Sequence, residues 1–133
     1  MATTLGRLRA ELPDAPTLRR AWMKALRPFS FTIAAVSCGL GIALAARDGV
    51  LVPWQGALVF VAGITLQAGV NLVNDFFEFK TDRLDNKQAE LGVQGAQRSA
   101  VEWSIYLVGL VCFLATAIIG VVLVARVGLP LLW

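Results

Sequence analysis

Gln67 to Asp85 reads QAGVNLVNDFFEFKTDRLD, starting inside an apolar run and leaving it through two asparagines and a series of acids. On a helix, at about 100° per residue, Gln67, Asn71, Asn74, Glu78, Asp82 and Asp85 share a sector of roughly 80°. Val70, Val73, Phe76, Phe77 and Phe79 lie between and opposite them. Polar groups inside a bilayer cost free energy unless they face a cavity, a partner or an ion. The stripe therefore needs something to face.

The surrounding chain supplies the bilayer. Of its residues 57% are hydrophobic and 16% charged, whereas a soluble domain averages about 45–50% apolar and roughly a quarter charged. The apolar residues gather in three charge-free runs, Pro28–Ala46, Gly49–Asn74 and Trp103–Ala125. Each is long enough to cross a hydrocarbon core of roughly 30 Å. The expected fold is all-α and transmembrane, with spans over about 28–46, 50–74 and 103–125. The first run lies behind a long basic segment and exceeds the usual length of a cleavable signal core, so it reads as a true span. Cys38 and Cys112 both fall within spans and are expected to pack rather than pair. With no histidine in the chain, His-based metal sites and His general bases are excluded within it. A divalent ion would have to be held by oxygen, which favours Mg²⁺ or a similar hard cation.

In order, residues 1–24 form a basic segment broken by Pro13 and Pro16, with a short interfacial helix expected from Thr17 to Trp22. Trp22 and Trp54 suit the headgroup region. Residues 25–126 form the membrane domain, which Arg27-Pro28 opens with a proline suited to a first helical turn. The first span is rich in small residues, including Gly39 and Gly41, which predicts close helix packing. Arg47-Asp48-Gly49 makes a turn and Pro53-Trp54 starts the second span. The composition becomes polar over 75–102, expected as a loop with Gly92 and Gly95 as breaks, and 127–133 reads as the start of a fourth span. Of the twelve basic residues nine lie in residues 1–24 and 75–102, Arg27 follows just behind the first of these segments, and Arg47 and Arg126 lie on the opposite side. The positive-inside rule then puts the amino terminus and that segment in the cytoplasm, with the chain multi-pass in the inner (plasma) membrane.

Asn74, Glu78 and Asp82 stand at i, i+4 and i+8 along one helical face, with Asp75 beside them and Asp85 returning to that face. Clustered carboxylates near low dielectric repel one another and call for cations. A diphosphate held by Mg²⁺ would answer this: carboxylates and the Asn carbonyl hold metal, and metal bridges phosphate oxygens. Lys80, Arg83, Arg27 or Arg98 would neutralise phosphate directly. The competing reading is a helix end solvated at the interface, its acids paired with Lys80, Arg83 and Lys87 as ordinary helical neighbours. Gln67 and Asn71 weigh against it, because they carry the stripe about two turns back into the apolar run.

The stretch Asn74–Asp82, NDFFEFKTD, resembles the first Asp-rich motif (NxxxDxxxD) of the UbiA-type intramembrane aromatic prenyltransferases. Leu26–Thr32, LRPFSFT, before a small-residue helix, and the following QAGVNLVNDFF are similar to the dihydroxynaphthoate prenyltransferase branch, which serves menaquinone synthesis. The resemblance spans roughly residues 22–126. It implies a helical bundle around a cavity open to the cytoplasm, where two Asp-rich motifs bind a prenyl diphosphate through Mg²⁺. Ionisation then yields an allylic cation that an electron-rich aromatic ring attacks. Carried over by position, Asn74, Asp75, Glu78 and Asp82 would belong to the first metal–diphosphate site. Asp85 is a further metal candidate and Asn71 a further diphosphate contact, with Arg27, Lys80 and Arg98 as phosphate partners.

Two departures stand out. Glu78 replaces the usual Asp, and the second Asp-rich motif of a roughly nine-span bundle is missing from this chain. The expectation is the amino-terminal third of such an enzyme, inactive without its carboxy-terminal half. The expected partners are prenyl diphosphate, an aromatic small molecule such as 1,4-dihydroxy-2-naphthoate and the lipid bilayer, not nucleic acid. A small non-catalytic membrane subunit, its stripe meeting a partner helix or an ion, is the alternative, and a degenerate remnant is a third.

Overall fold

The computed structural model describes the backbone of residues 15–81 and 95–128 and the side chains of 15–78 and 100–128. All the regular structure described is helical: α1 (Ala15–Leu26), a 3-10 turn (Pro28–Ser30), α2 (Phe31–Arg47), α3 (Pro53–Thr81) and α4 (Gly95–Val127). Among the described residues three stretches are long and apolar enough to cross a membrane: Ala15–Arg47, Pro53–Glu78 and Ala100–Val127. This is an all-α membrane protein, as composition requires.

The first of these stretches is broken. α1 is amphipathic, with Ala21 and Ala25 buried on one side and Arg19, Arg20 and Lys24 exposed on the other. It stops at Arg27, which takes a left-handed conformation (φ 48°, ψ 67°) before Pro28. Proline disfavours the right-handed helical region for the residue before it, so a break at Arg27 is dictated locally. α2 then runs to Arg47 and ends in a glycine cap. Gly49 has φ 72°, its N–H donates to the Ala46 carbonyl, and the Val50 N–H donates to that of Ala45. That pair of bonds, closing on a left-handed glycine, stops the helix and satisfies carbonyls that would otherwise be orphaned.

α3 starts at Pro53, as the Pro-Trp pair predicts, but continues past Asn74 to Thr81. α4 likewise begins at Gly95 rather than Trp103, so much of the 75–102 segment expected as loop is helix, and Gly95 opens a helix rather than breaking one. The change in composition marks where the helices leave the apolar zone, not where they end. At 1.5 Å per residue α3 is about 43 Å long, more than the roughly 30 Å of a hydrocarbon core. Residues 82–94, with Gly92 among them, and 129–133, which carry most of the expected fourth-span start, lie outside the described residues. Gly128, with φ 98°, caps α4 by donating to the Val124 carbonyl.

α3 packs along α4 as the main helix pair, α2 lies against α3, and α1 folds back onto both α3 and α4. A small core forms where three of them meet: Ala25, Leu72 and Ile105 are buried, with Trp22, Leu26 and Val101 packed around them. Phe76 extends it, its ring stacked on Tyr106 at 4.5 Å and tilted against Trp103 at 5.5 Å. α2 has no buried residue, and Phe29, Ile33, Val36 and Leu40 are strongly exposed. In lipid such a face is ordinary, because acyl chains solvate it as well as protein does.

Close helix approach occurs at glycines other than the expected pair. A Cβ on Gly39 or Gly41 would meet nothing within 4 Å. At Gly109 it would meet Val73 Cγ2 at 2.9 Å and Leu72 Cβ at 3.2 Å, and at Gly69 the Gly109 carbonyl oxygen at 3.2 Å. A Cβ at Gly63 would collide with Cys38 Sγ. Both cysteines are free and serve as packing groups, as expected.

The α3–α4 contact therefore depends on bare backbone at Gly109. Gly109→Ala is expected to cost about 1–3 kcal/mol through overpacking. Gly120→Ala, where a Cβ meets nothing within 4 Å, should be neutral or stabilising by up to about 1 kcal/mol from helix propensity. Thermal melts of both variants in one detergent check this; equal shifts would contradict the packing.

Candidate functional site

Two members of the polar stripe, Asn71 and Glu78, face the elbow between α1 and α2. Asn71 lies on α3 about 27 Å from Pro53 along the axis, near the far edge of a bilayer-length span. It is only 5% exposed. Its Nδ2 donates to the Leu26 carbonyl at 2.6 Å and to Ser30 Oγ at 2.5 Å. Its Oδ1 accepts from Gln67 Nε2 at 3.2 Å. Ser30 in turn donates, through Oγ and through its backbone N–H, to the Arg27 carbonyl at 2.9 Å. Both carbonyls flanking the break are thus satisfied. A buried amide without these bonds would cost about 1–3 kcal/mol, and among the described residues no buried side-chain polar atom is unpaired.

Nearly two turns beyond Asn71, Arg27 reaches α3 again. Its Nη2 lies 2.7 Å from both Oε1 and Oε2 of Glu78. The two side chains are 43% and 49% exposed, so the pair is open to water and ions. Asp75 is only 4% exposed on the same end of α3. Asn74, one position before it, is exposed. Asn71, Asp75 and Glu78 therefore share the elbow end of α3, while Asn74 stands apart from the buried flank.

For a left-handed residue other than glycine the backbone costs roughly 1–2 kcal/mol. At Arg27 that cost is offset by the Asn71 and Ser30 bonds and by the reach to Glu78. Such outliers persist where surrounding contacts over-determine them. The sequence pattern points to Arg27 and Asn71 but not to Ser30; in the structure the Asn71 amide meets the Leu26 carbonyl and the Ser30 hydroxyl. The available signal was Arg27-Pro28, which excludes a continuous helix at that point.

Of the other expected residues, Asp82 and Asp85 lie outside the described residues, as do the side chains of Lys80 and Arg98. Among the described residues no three Asp, Glu or Cys side chains come together as a metal site. The donors present suit a hard cation in kind, since Asn74, Asp75 and Glu78 offer only oxygen. Glu78 is open enough to receive a cation, and in this structure the guanidinium occupies both of its oxygens.

A double-mutant cycle on Arg27 and Glu78 should give a coupling of about 0.2–1 kcal/mol, the range of exposed pairs. It should shrink between low and molar salt, because the Debye length falls to about 3 Å. A larger, salt-independent coupling would show the pair to be sheltered from water. No family model, curated protein or solved structure matches this chain, and what the site does has to follow from its own chemistry.

Proposed function

We propose that this chain supplies one half of a Mg²⁺–diphosphate site in an intramembrane prenyltransferase. The reaction moves a polyprenyl group from a prenyl diphosphate to an aromatic acceptor, of the 1,4-dihydroxy-2-naphthoate type used in menaquinone synthesis. The observation that carries this reading is the Arg27–Glu78 pair: a cation and a carboxylate from distant parts of the chain, open to solvent, at the polar end of a membrane helix. The resemblance of Asn74–Asp82 to the prenyltransferase motif supports it.

In this reading Asn74, Asp75, Glu78 and Asp82 would hold the metal, with Asp85 at the margin. When bound, Mg²⁺ supplies positive charge to the departing diphosphate. Arg27 releases Glu78 and turns its guanidinium to the phosphate oxygens, a geometry in which arginine is a strong donor; Lys80 and Arg98 are further phosphate partners. The allylic C–O bond breaks with its electron pair on the diphosphate. The aromatic carbon then forms the new C–C bond and expels a proton, or CO₂ where that carbon bears a carboxylate. Turnover requires a second set of carboxylates opposite this one, from helices beyond these three. In this reading the end of α3 near the basic residues of α1 lies on the cytoplasmic side of the plasma membrane, in keeping with the positive-inside rule.

A second reading gains from Asn71. Its side chain makes three hydrogen bonds to groups of the chain itself, as expected of a non-catalytic membrane subunit whose stripe holds helices together. The two separate by binding. The full chain in detergent, titrated with geranyl diphosphate, should bind it in a Mg²⁺-dependent manner, and Glu78→Ala should weaken binding at least tenfold. Absent Mg²⁺ dependence, or an unchanged Glu78→Ala, would favour the subunit.

A further inference from the structure

Asn71 stands within the polar stripe, yet its side chain faces protein rather than a ligand space. Its amide nitrogen tethers both peptide carbonyls at the α1–α2 break: that of Leu26 directly, and that of Arg27 through Ser30 Oγ. Gln67, one turn earlier on α3, donates to Asn71 Oδ1 and so fixes which edge of the amide faces the elbow. Between those two carbonyls lies Arg27, whose left-handed backbone aims the guanidinium at Glu78, seven residues beyond Asn71 on the same helix. One helix thus carries both the carboxylate and the anchor that sets where its cationic partner sits.

We propose that Asn71 is a positioning residue: it locks the α1–α2 elbow so that Arg27 stands over the carboxylate end of α3. The inference deepens the diphosphate-site reading and, for its effect on ligand, rests on it. Asn71 is replaceable only by a side chain that donates at the same place. An ionised aspartate has the right shape but accepts only, and it would repel the Leu26 carbonyl.

The test uses the full chain in lipid nanodiscs with Cys38 and Cys112 changed to serine. Spin labels at positions 23 and 66, on exposed Met23 of α1 and Leu66 of α3, report the elbow by their distance distribution. A second pair at Leu66 and Leu114, also exposed, reports the α3–α4 contact. Asn71→Asp and Asn71→Ala should each broaden the α1–α3 distribution at least twofold and leave the α3–α4 distribution unchanged. Both should weaken Mg²⁺-dependent binding of geranyl diphosphate as far as Arg27→Gln does, and the Arg27→Gln/Asn71→Ala double variant should be no weaker than Arg27→Gln alone. An unchanged α1–α3 distribution in Asn71→Asp overturns the proposal, and so does additive loss in the double variant. If both Asn71 variants lose the α3–α4 signal as well, Ser30→Ala decides, since it cuts only the branch to the Arg27 carbonyl. Broadening confined to α1–α3 upholds the lock, and an unchanged width removes it. Should the parent chain bind no geranyl diphosphate, the diphosphate reading falls while the distance measurements still decide the role of Asn71.

Discussion

A helix that stops leaves its last carbonyls without partners, and near a bilayer water is a poor substitute for them. The Leu26 carbonyl is the case on which this chain turns. α1 ends there because Pro28 disfavours a right-handed helical residue before it, and the freed oxygen is taken by Asn71 from across the bundle. That bond decides how α1 lies against α3 and α4, and thereby where Trp22, Ala25 and Leu26 meet Leu72 and Ile105 in the core. The elbow is less an interruption of the first span than the joint that seats it.

The rest of the bundle is held differently. α3 and α4 approach through bare backbone at Gly69 and Gly109, where dispersion contacts replace the hydrophobic drive that lipid removes. Higher up the same pair, Phe76, Trp103 and Tyr106 stack face and edge. The contact thus changes character along its length, from glycine on backbone to aromatic on aromatic, as the helices rise toward the polar end.

The membrane class was legible because charge-free runs of bilayer length are rarely at home anywhere but in a bilayer. The Arg27 break and the Gly49 turn were legible from Pro28 and from glycine's tolerance of positive φ. Other features were hidden for identifiable reasons. Composition marks where a helix meets water, not where its hydrogen bonds stop: the helical spacing of Asn74, Glu78 and Asp82 points past Asn74, while the change to polar composition reads as a loop over residues that are in fact helix to Thr81. Nor does a glycine announce which neighbour it faces: Gly39 and Gly41 look like packing residues, and it is Gly63, Gly69 and Gly109 that have a neighbour against them. At the site, helical spacing put Asn71, Asn74 and Glu78 in one sector. Only the position of the elbow divides them into a buried anchor, an exposed amide and a paired acid. The pairing of Arg27 with Glu78 spans 51 positions, a separation over which local pattern carries no information.

Cys38 and Gly63 carry a consequence of another kind. The sulfur occupies the space a Cβ at position 63 would need, and α2 buries no side chain that would fasten it otherwise. The two positions thus form one unit of variation. A larger residue at 63 is admissible only with a smaller one at 38, and the reverse change loosens α2 from α3. Among descendants of this sequence the pair should drift together, glycine with cysteine or alanine with glycine, while the lipid-facing residues on either side drift alone. Such covariation would be a record, written in sequences, of how closely the first span leans on the second.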